Sequence, residues 1–274
     1  MFGSELALLP DFNSLEKLFI RLYGSLSVPT VKRFLVFKHF VLKFFERERI
    51  AIDRVLDFGC AFGGFGFALA RLIPNAEVCL FDINPEAAKR CRTIIKRSTQ
   101  YSKVRFLDED EWKTAGDFRL TLAVDVIEHI ENDRRMLEEL YWRMAPGGCL
   151  YVAVPQYSGE ELSAYDRYVG HVRTGYERNK LESLLADVGF TMIAEPGGRW
   201  RDRERWFEPA IARLHKRLAT SPDSPLLDFD SLPGLALVNK AGLALLWPLY
   251  RTVMEFDIIM HGNMANSISL LAQK

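Results

Sequence analysis

Val55-Leu56-Asp57-Phe58-Gly59-Cys60-Ala61-Phe62-Gly63-Gly64-Phe65-Gly66 joins one apolar run to another through a glycine-rich turn. That order dictates a buried strand that turns sharply into a helix, where backbone without Cβ atoms can approach a ligand closely. The next apolar run, 77–81, ends at Asp82, sixteen residues after Gly66. A carboxylate there can bridge the two hydroxyls of a ribose. Together the features predict a nucleoside site at the carboxyl ends of parallel strands.

The surrounding chain supports a parallel sheet. Short apolar runs alternate with helical stretches across residues 52–155, the pattern of strands joined by crossover helices. Strands are expected at 54–58, 77–81, 104–107, 120–124 and 149–154, and helices at 65–72, 85–95 and 133–144, the second with Pro85 in its first turn. Helix 176–188, capped by Gly189, and strand 190–194 follow. The next clear strand is 268–272, so the roughly seventy residues between form an insertion, because structureless connections of that length are rare. The expected division is a helical cap at 1–50, a core at 51–200, a helical lid at 201–264 and the last core strand at 265–274.

Lys and Arg total 36 and so do Asp and Glu, a net charge of zero. This argues against polyanion binding by the whole chain, which needs excess positive charge, and no specific nucleic acid is expected. The charge is nevertheless segregated: residues 15–45 carry six basic groups against one acid, with seven Phe or Tyr, whereas residues 101–140 carry six against eleven. The basic segment, Lys32, Arg33 and Lys38 in particular, is expected to capture the acceptor. Phe34, Phe37, Val41, Phe44 and Phe45 share one helical face, suited either to packing over the sheet or to contact with a membrane or lipophilic substrate. Residues 232–250 are apolar enough to suggest a span, but Asn239, Lys240, Gly242 and Pro248 interrupt them, which favours a buried or lid-forming helix. Cys60, Cys79, Cys91 and Cys149 form no close pair, and residues 1–14 lack the basic start of a signal peptide, so a reducing, cytoplasmic setting is expected, with peripheral membrane contact and a homodimer left open.

A dinucleotide fingerprint would need glycine where this chain has Ala61. The turn instead resembles the first motif of the class I S-adenosylmethionine-dependent methyltransferases, matched at Leu56, Asp57, Gly59, Cys60 and Gly63. Four further matches follow in order across residues 52–190: Phe81-Asp82-Ile83, Leu107-Asp108, Leu122 to Ile130 with its Asp125-Val126-Ile127-Glu128-His129 core, and Met144 to Leu150. The resemblance implies a seven-stranded α/β Rossmann-like sheet whose last strand runs antiparallel beside the fifth. It also implies S-adenosylmethionine as cofactor, held by Asp57, Gly59, Cys60, Ala61, Gly63, Asp82, Ile83, Asp108 and Asp125. Asp57 can alternatively orient the turn from beneath, and Asp110 competes with Asp108 for the adenine edge.

The fourth motif is similar to that of members that methylate small molecules, and the absence of an Asn-Pro-Pro-Tyr type sequence after it favours oxygen over a base or amide nitrogen. A small, lipophilic or glycosylated acceptor is implied. RNA or protein methylation, and a non-catalytic cofactor-binding subunit, are the alternatives. His129 and His171 are the candidate bases, since a neutral imidazole suits removal of an acceptor proton. Asp125, Glu128, His129 and His171 could together hold a magnesium or zinc ion, but Asp-x-x-Glu-His is common in metal-independent relatives and no resident metal is expected.

Overall fold

The computed structural model describes residues 2–12, 14–24, 28–157, 159, 161–162, 164–168, 170–194, 251–252, 255–256, 258 and 267–274. The expected lid and the apolar stretch 232–250 therefore lie outside the described residues, apart from five positions near 255.

Ahead of the first strand come helices α1 (Ser14–Tyr23), α2 (Val28–Val36) and α3 (Lys43–Arg47), the last two linked by a π-helical segment, Phe37–Leu42. The core then runs β1 (Arg54–Phe58), α4 (Gly64–Leu72), β2 (Glu77–Phe81), α5 (Pro85–Arg97), β3 (Val104–Phe106), α6 (Glu109–Thr114), β4 (Phe118–Val124), α7 (Asp133–Arg143) and β5 (Met144–Pro155). The short α8 (Ala164–Tyr168) precedes α9 (Arg178–Val188), β6 (Thr191–Ala194) and β7 (Ser267–Gln273). One seven-stranded sheet results, in the order β3-β2-β1-β4-β5-β7-β6. β1 to β5 pair parallel, and β7 lies antiparallel to both β5 and β6, as the resemblance implies.

Because strand side chains alternate between faces, each strand feeds two cores. Val55, Val78, Leu80, Leu120, Leu122 and Tyr151 join one apolar cluster, and Leu56, Cys79, Phe81, Ala123, Leu150 and Val152 join the other. Helices α4 and α5 contribute Phe67, Leu69 and Ile94 to the first; α7 and α9 contribute Leu137, Leu140, Leu181 and Leu185 to the second. Burial on both faces explains why the central strands read as nearly unbroken apolar runs.

The amphipathic face near the amino terminus packs into the first cluster against β5 and α4. Phe37 packs at 5.2 Å between ring centroids on Tyr151 of β5 and at 5.9 Å on Phe65 of α4, and Phe34 stacks on Phe2. Phe34, Phe37, Val41 and Phe45 are all buried. The face is thus occupied by the sheet. Among the described residues no helix is long and apolar enough to cross a membrane.

Two boundaries depart from expectation for identifiable reasons. β5 begins at Met144, not 149, because Met144 pairs with Phe118 and the register then shifts before Leu120 pairs with Cys149. Gly147, at φ 70°, lies within that irregularity. The helix expected from 176 starts at Arg178, since the backbone of Tyr176 bridges to Gln156 and its hydroxyl is 2.7 Å from Asp133 Oδ2.

Candidate functional site

The glycine-rich turn leaves the carboxyl end of β1 and is anchored from two sides. The N–H groups of Gly59 and Cys60 both donate to the carbonyl of Phe81, at 2.8 and 3.0 Å, stitching the turn to β2. Gly59 has φ 66°, and a Cβ there would lie 2.5 Å from a Val126 methyl. Only glycine combines that left-handed backbone with so close a neighbour. At Gly66 a Cβ would fall 2.1 Å from Leu80, so the helix packs against β2 at backbone distance.

Asp57 acts beneath the turn. Its Oδ2 accepts the N–H of Gly66 at 2.8 Å, and the side chain is buried. Burial pushes its pKa up to about 7, opposed by the Gly66 bond and reinforced by the nearby charge of Asp82. Of the two roles open to Asp57, the structure provides the orienting one.

Asp82 closes the turn from the end of β2. One carboxylate oxygen accepts the N–H of Ala61 and the other that of Asn84, both at 2.8 Å. Ala61 is exposed and adopts φ 46°, the left-handed region in which non-glycine residues are uncommon. The Asp82 contact holds it there. Cys60 and Cys91 both direct their thiols at the Ala61 carbonyl, and the Cys60 Sγ pKa is raised by burial and its neighbour Cys91. Gly63, at φ 79°, is the N-cap of α4. Ile83 follows Asp82 and is 90% exposed, a large apolar side chain left facing solvent at the strand end.

Asp108 is the N-cap of α6. Its Oδ1 accepts from the N–H groups of Asp110 and Glu111 while Glu111 reaches back to the Asp108 N–H, a reciprocal capping box. Its rival, Asp110, pairs with Lys113 at the surface. Trp112 stacks on Phe81 with centroids 4.5 Å apart and gives its indole N–H to Glu139.

The end of β4 gathers the remaining candidates. Asp125 has φ 54° and an N–H bonded to the Ala153 carbonyl, so its side chain turns toward the first cluster, where Arg33 of α2 meets it in an ion pair. Arg33 is buried and also donates to Ser267 Oγ at 2.7 Å. Arg33 was expected at the surface as an acceptor-capturing cation; it is instead an internal clasp joining α2, β4 and β7. Lys38 likewise pairs with Glu255 at 3.2 Å, and His39 meets the same carboxylate at 2.7 Å. A buried arginine partner was the feature that sequence reasoning missed, and its only trace was a cation set directly before the apolar face at Phe34.

Glu128 sits in a single helical turn, Ile127–His129, with no exposed surface. Among the described residues no cationic side chain donates to its carboxylate oxygens, and its side-chain hydrogen bond is to Asp125. Burial and the adjacent Asp125 push its pKa up to about 8. His129 and His171 meet edge to face, with ring centroids 4.5 Å apart at 88°. The two imidazoles are brought together by backbone ties: Val172 N–H donates to the Glu128 carbonyl at 3.0 Å, His171 N–H to Asp166 at 2.8 Å, and Arg173 to the carbonyls of Ile127 and Ile130 at 2.6 and 2.8 Å. Burial, aided by His129, lowers the His171 pKa below its ordinary 6.5, so at neutral pH its ring carries a lone pair. Glu128, His129 and His171 place one ligand atom each within 4.8 Å of one another; Asp125 stands outside that group, turned to Arg33.

The sequence matches a methyltransferase-domain family over residues 31–195. An uncharacterized protein of Synechococcus sp. is 32% identical over 104 residues, which is 37% of this chain and 25% of that protein. Trans-aconitate 2-methyltransferase of Pseudomonas aeruginosa is 30% identical over 106 residues, 38% of this chain and 37% of that one. The chain thus spans between a quarter and two fifths of the length of these relatives. Among solved structures, the [4+2]-cyclase SpnF superposes with a TM-score of 0.53 at 18% identity, covering 89% of this chain and 81% of that one; at this identity the likeness is one of fold.

Proposed function

Because the chain belongs to the methyltransferase-domain family and has the class I fold of S-adenosylmethionine-dependent enzymes, we propose that it methylates an oxygen of a small, lipophilic or glycosylated acceptor. The observation that carries this reading is that the glycine turn leaves β1 beside the segment following β4, where a Cβ on Gly59 would lie 2.5 Å from Val126, and that His129, paired with His171, stands three residues beyond Val126. When bound, S-adenosylmethionine supplies a methyl group on a cationic sulfonium.

The residues suit that group. Gly59 and Gly63 set the left-handed path of the turn at points where a Cβ would meet Val126 and Phe67, and Asp82, with each oxygen already holding one N–H, retains lone pairs for ribose hydroxyls. Ile83 offers an exposed apolar surface for the adenine. Asp57 supports the turn through Gly66, and Asp108, fixed as the N-cap of α6, is the proposed partner of the adenine edge. Neutral His171, with His129 against it, orients the acceptor hydroxyl and accepts its proton, and alignment supplies most of the rate in such an in-line displacement.

The cyclase of similar fold shows that this architecture also hosts other chemistry. The reaction therefore needs its own test, a screen with labelled S-adenosylmethionine against small hydroxylated and carboxylated acceptors, among them trans-aconitate, after which the related methyltransferase is named. Label transferred to oxygen, and lost in His171→Ala, is the expected result. Transfer only to RNA or protein would replace the small-molecule reading.

A further inference from the structure

We propose that Glu128, His129 and His171 form a binding site for one divalent transition-metal ion of the zinc class at the end of β4. One carboxylate oxygen and two imidazole nitrogens lie within 4.8 Å of one another. Ligand atoms around a tetrahedral zinc stand about 3.4 Å apart, so small side-chain rotations close the set. The rings meet edge to face at 88°, which lets one nitrogen of each turn toward a common point.

A second, independent observation points the same way. Glu128 has no exposed surface, and among the described residues its side chain bonds only to acidic Asp125 and its own backbone, with no cationic donor. A carboxyl group so buried is satisfied either by the proton it shares with Asp125 or by a cation that the two imidazoles also ligate. Arg33, which acts on Glu128 through space, is bonded to Asp125 and Ser267 rather than to it. The imidazoles on the other side of Glu128 supply no positive charge when neutral, but they supply two ligands.

The ligand frame is also preorganised. Glu128 and His129 are consecutive in one short helical turn, and Val172, Arg173 and the Asp166 carbonyl lock the His171 loop onto that turn. Two nitrogens and one carboxylate oxygen select zinc, iron(II) or manganese(II) over magnesium and calcium, which prefer all-oxygen sets. Three protein ligands leave a coordination position open.

A role in catalysis rests on the oxygen-methylation reading above. An acceptor hydroxyl in the open position loses its proton to solvent water, and the resulting alkoxide takes the methyl group as the sulfur–carbon bond breaks, leaving a neutral thioether. The two imidazoles then act as ligands and the metal takes over activation of the hydroxyl.

The site is tested on chelator-stripped full-length protein without S-adenosylmethionine, by zinc competition against a chromophoric chelator. One equivalent of zinc at micromolar affinity or better is expected, undisturbed by millimolar magnesium. Glu128→Gln and His171→Gln each remove a ligand and should weaken it by more than the roughly 10–100-fold that loss of a ligand's outer hydrogen-bond partner costs, whereas Cys60→Ser leaves it unchanged. His171→Gln lies on a loop and keeps the test valid if Glu128→Gln fails to fold. No stoichiometric binding, or binding equal in the variants, overturns the proposal. Turnover that falls on chelation and returns with zinc supports the catalytic role, and unchanged turnover overturns that role. Methyl transfer by either form of the enzyme reports separately on the reaction itself.

Discussion

Arg33 and Asp125 form an ion pair that ties the amino-terminal helix α2 to the end of the central strand β4, with Ser267 of β7 as the guanidinium's second partner. The pair makes the amino-terminal segment part of the site's support. Glu128, three residues beyond Asp125, feels the same guanidinium through space while its side chain bonds to Asp125.

Arg33→Met removes the clasp and leaves Asp125 and the Ser267 hydroxyl without their donor. The expected loss is about 1–3 kcal/mol, as for hydrogen bonds to charged groups, read as a lower urea midpoint. Adding Asp125→Asn should recover part of it, because the two residues act as one unit. Strictly additive losses would contradict the coupling.

Stability should fall as pH rises from 6.5 to 8.5. Folding raises the pKa of Asp57 from 3.8 to about 7 and of Glu128 from 4.5 to about 8, so both prefer the proton in the folded state. Their stabilisation is complete below the unfolded values and is lost progressively until pH passes the folded ones. His171 acts with the opposite sign, but only below 6.5. Thermal melts of metal-free protein should show Tm falling across the window, with Glu128→Gln flattening most of the slope and Asp57→Asn a smaller share near pH 7. A Tm that rises with pH would refute the assignment.

The turn separates two glycine-type positions. Gly59→Ala places a Cβ 2.5 Å from Val126 at φ 66° and should lower Tm and cofactor affinity together. Ala61→Gly relieves a left-handed alanine, a conformation that costs about 1–2 kcal/mol, and offsets the entropy glycine adds to the unfolded chain. It should leave Tm unchanged or raise it. A drop comparable to that of Gly59→Ala would show that the Ala61 side chain, not its N–H, matters to the turn.

Phe37→Ala opens a void between Tyr151 and Phe65 beneath the amino-terminal helix. The expected cost is about 3–5 kcal/mol, measured by urea unfolding. A cost under about 1 kcal/mol would mean that the helix is not part of the core.

The strands at 54–58 and 77–81, the glycine turn and Asp82 were legible because each is local: unbroken apolar runs mark strands buried on both faces, and glycines mark positive φ. The antiparallel last strand followed from the resemblance. What the sequence did not reveal depends on distant partners. Arg33 reads as a surface cation until Asp125 and Ser267 are placed beside it, 92 and 234 residues away. Asp108 reads from the sequence as a partner of the adenine edge in competition with Asp110, and the structure engages it in a capping box with Glu111. The start of β5 at Met144 depends on a register shift that no local pattern encodes. The meeting of His129 with His171 depends on a loop fixed by Arg173 bonding to carbonyls more than forty residues earlier.

Calorimetric titration with S-adenosylhomocysteine tests the central claim most directly, because it reads the nucleoside site without requiring the acceptor. One-to-one binding is predicted, weakened about 10–100-fold by Asp82→Ala through lost bonds to a charged group and little changed by His171→Gln. Absence of binding, or binding indifferent to Asp82, would contradict the assignment of the glycine turn and Asp82 as the cofactor site.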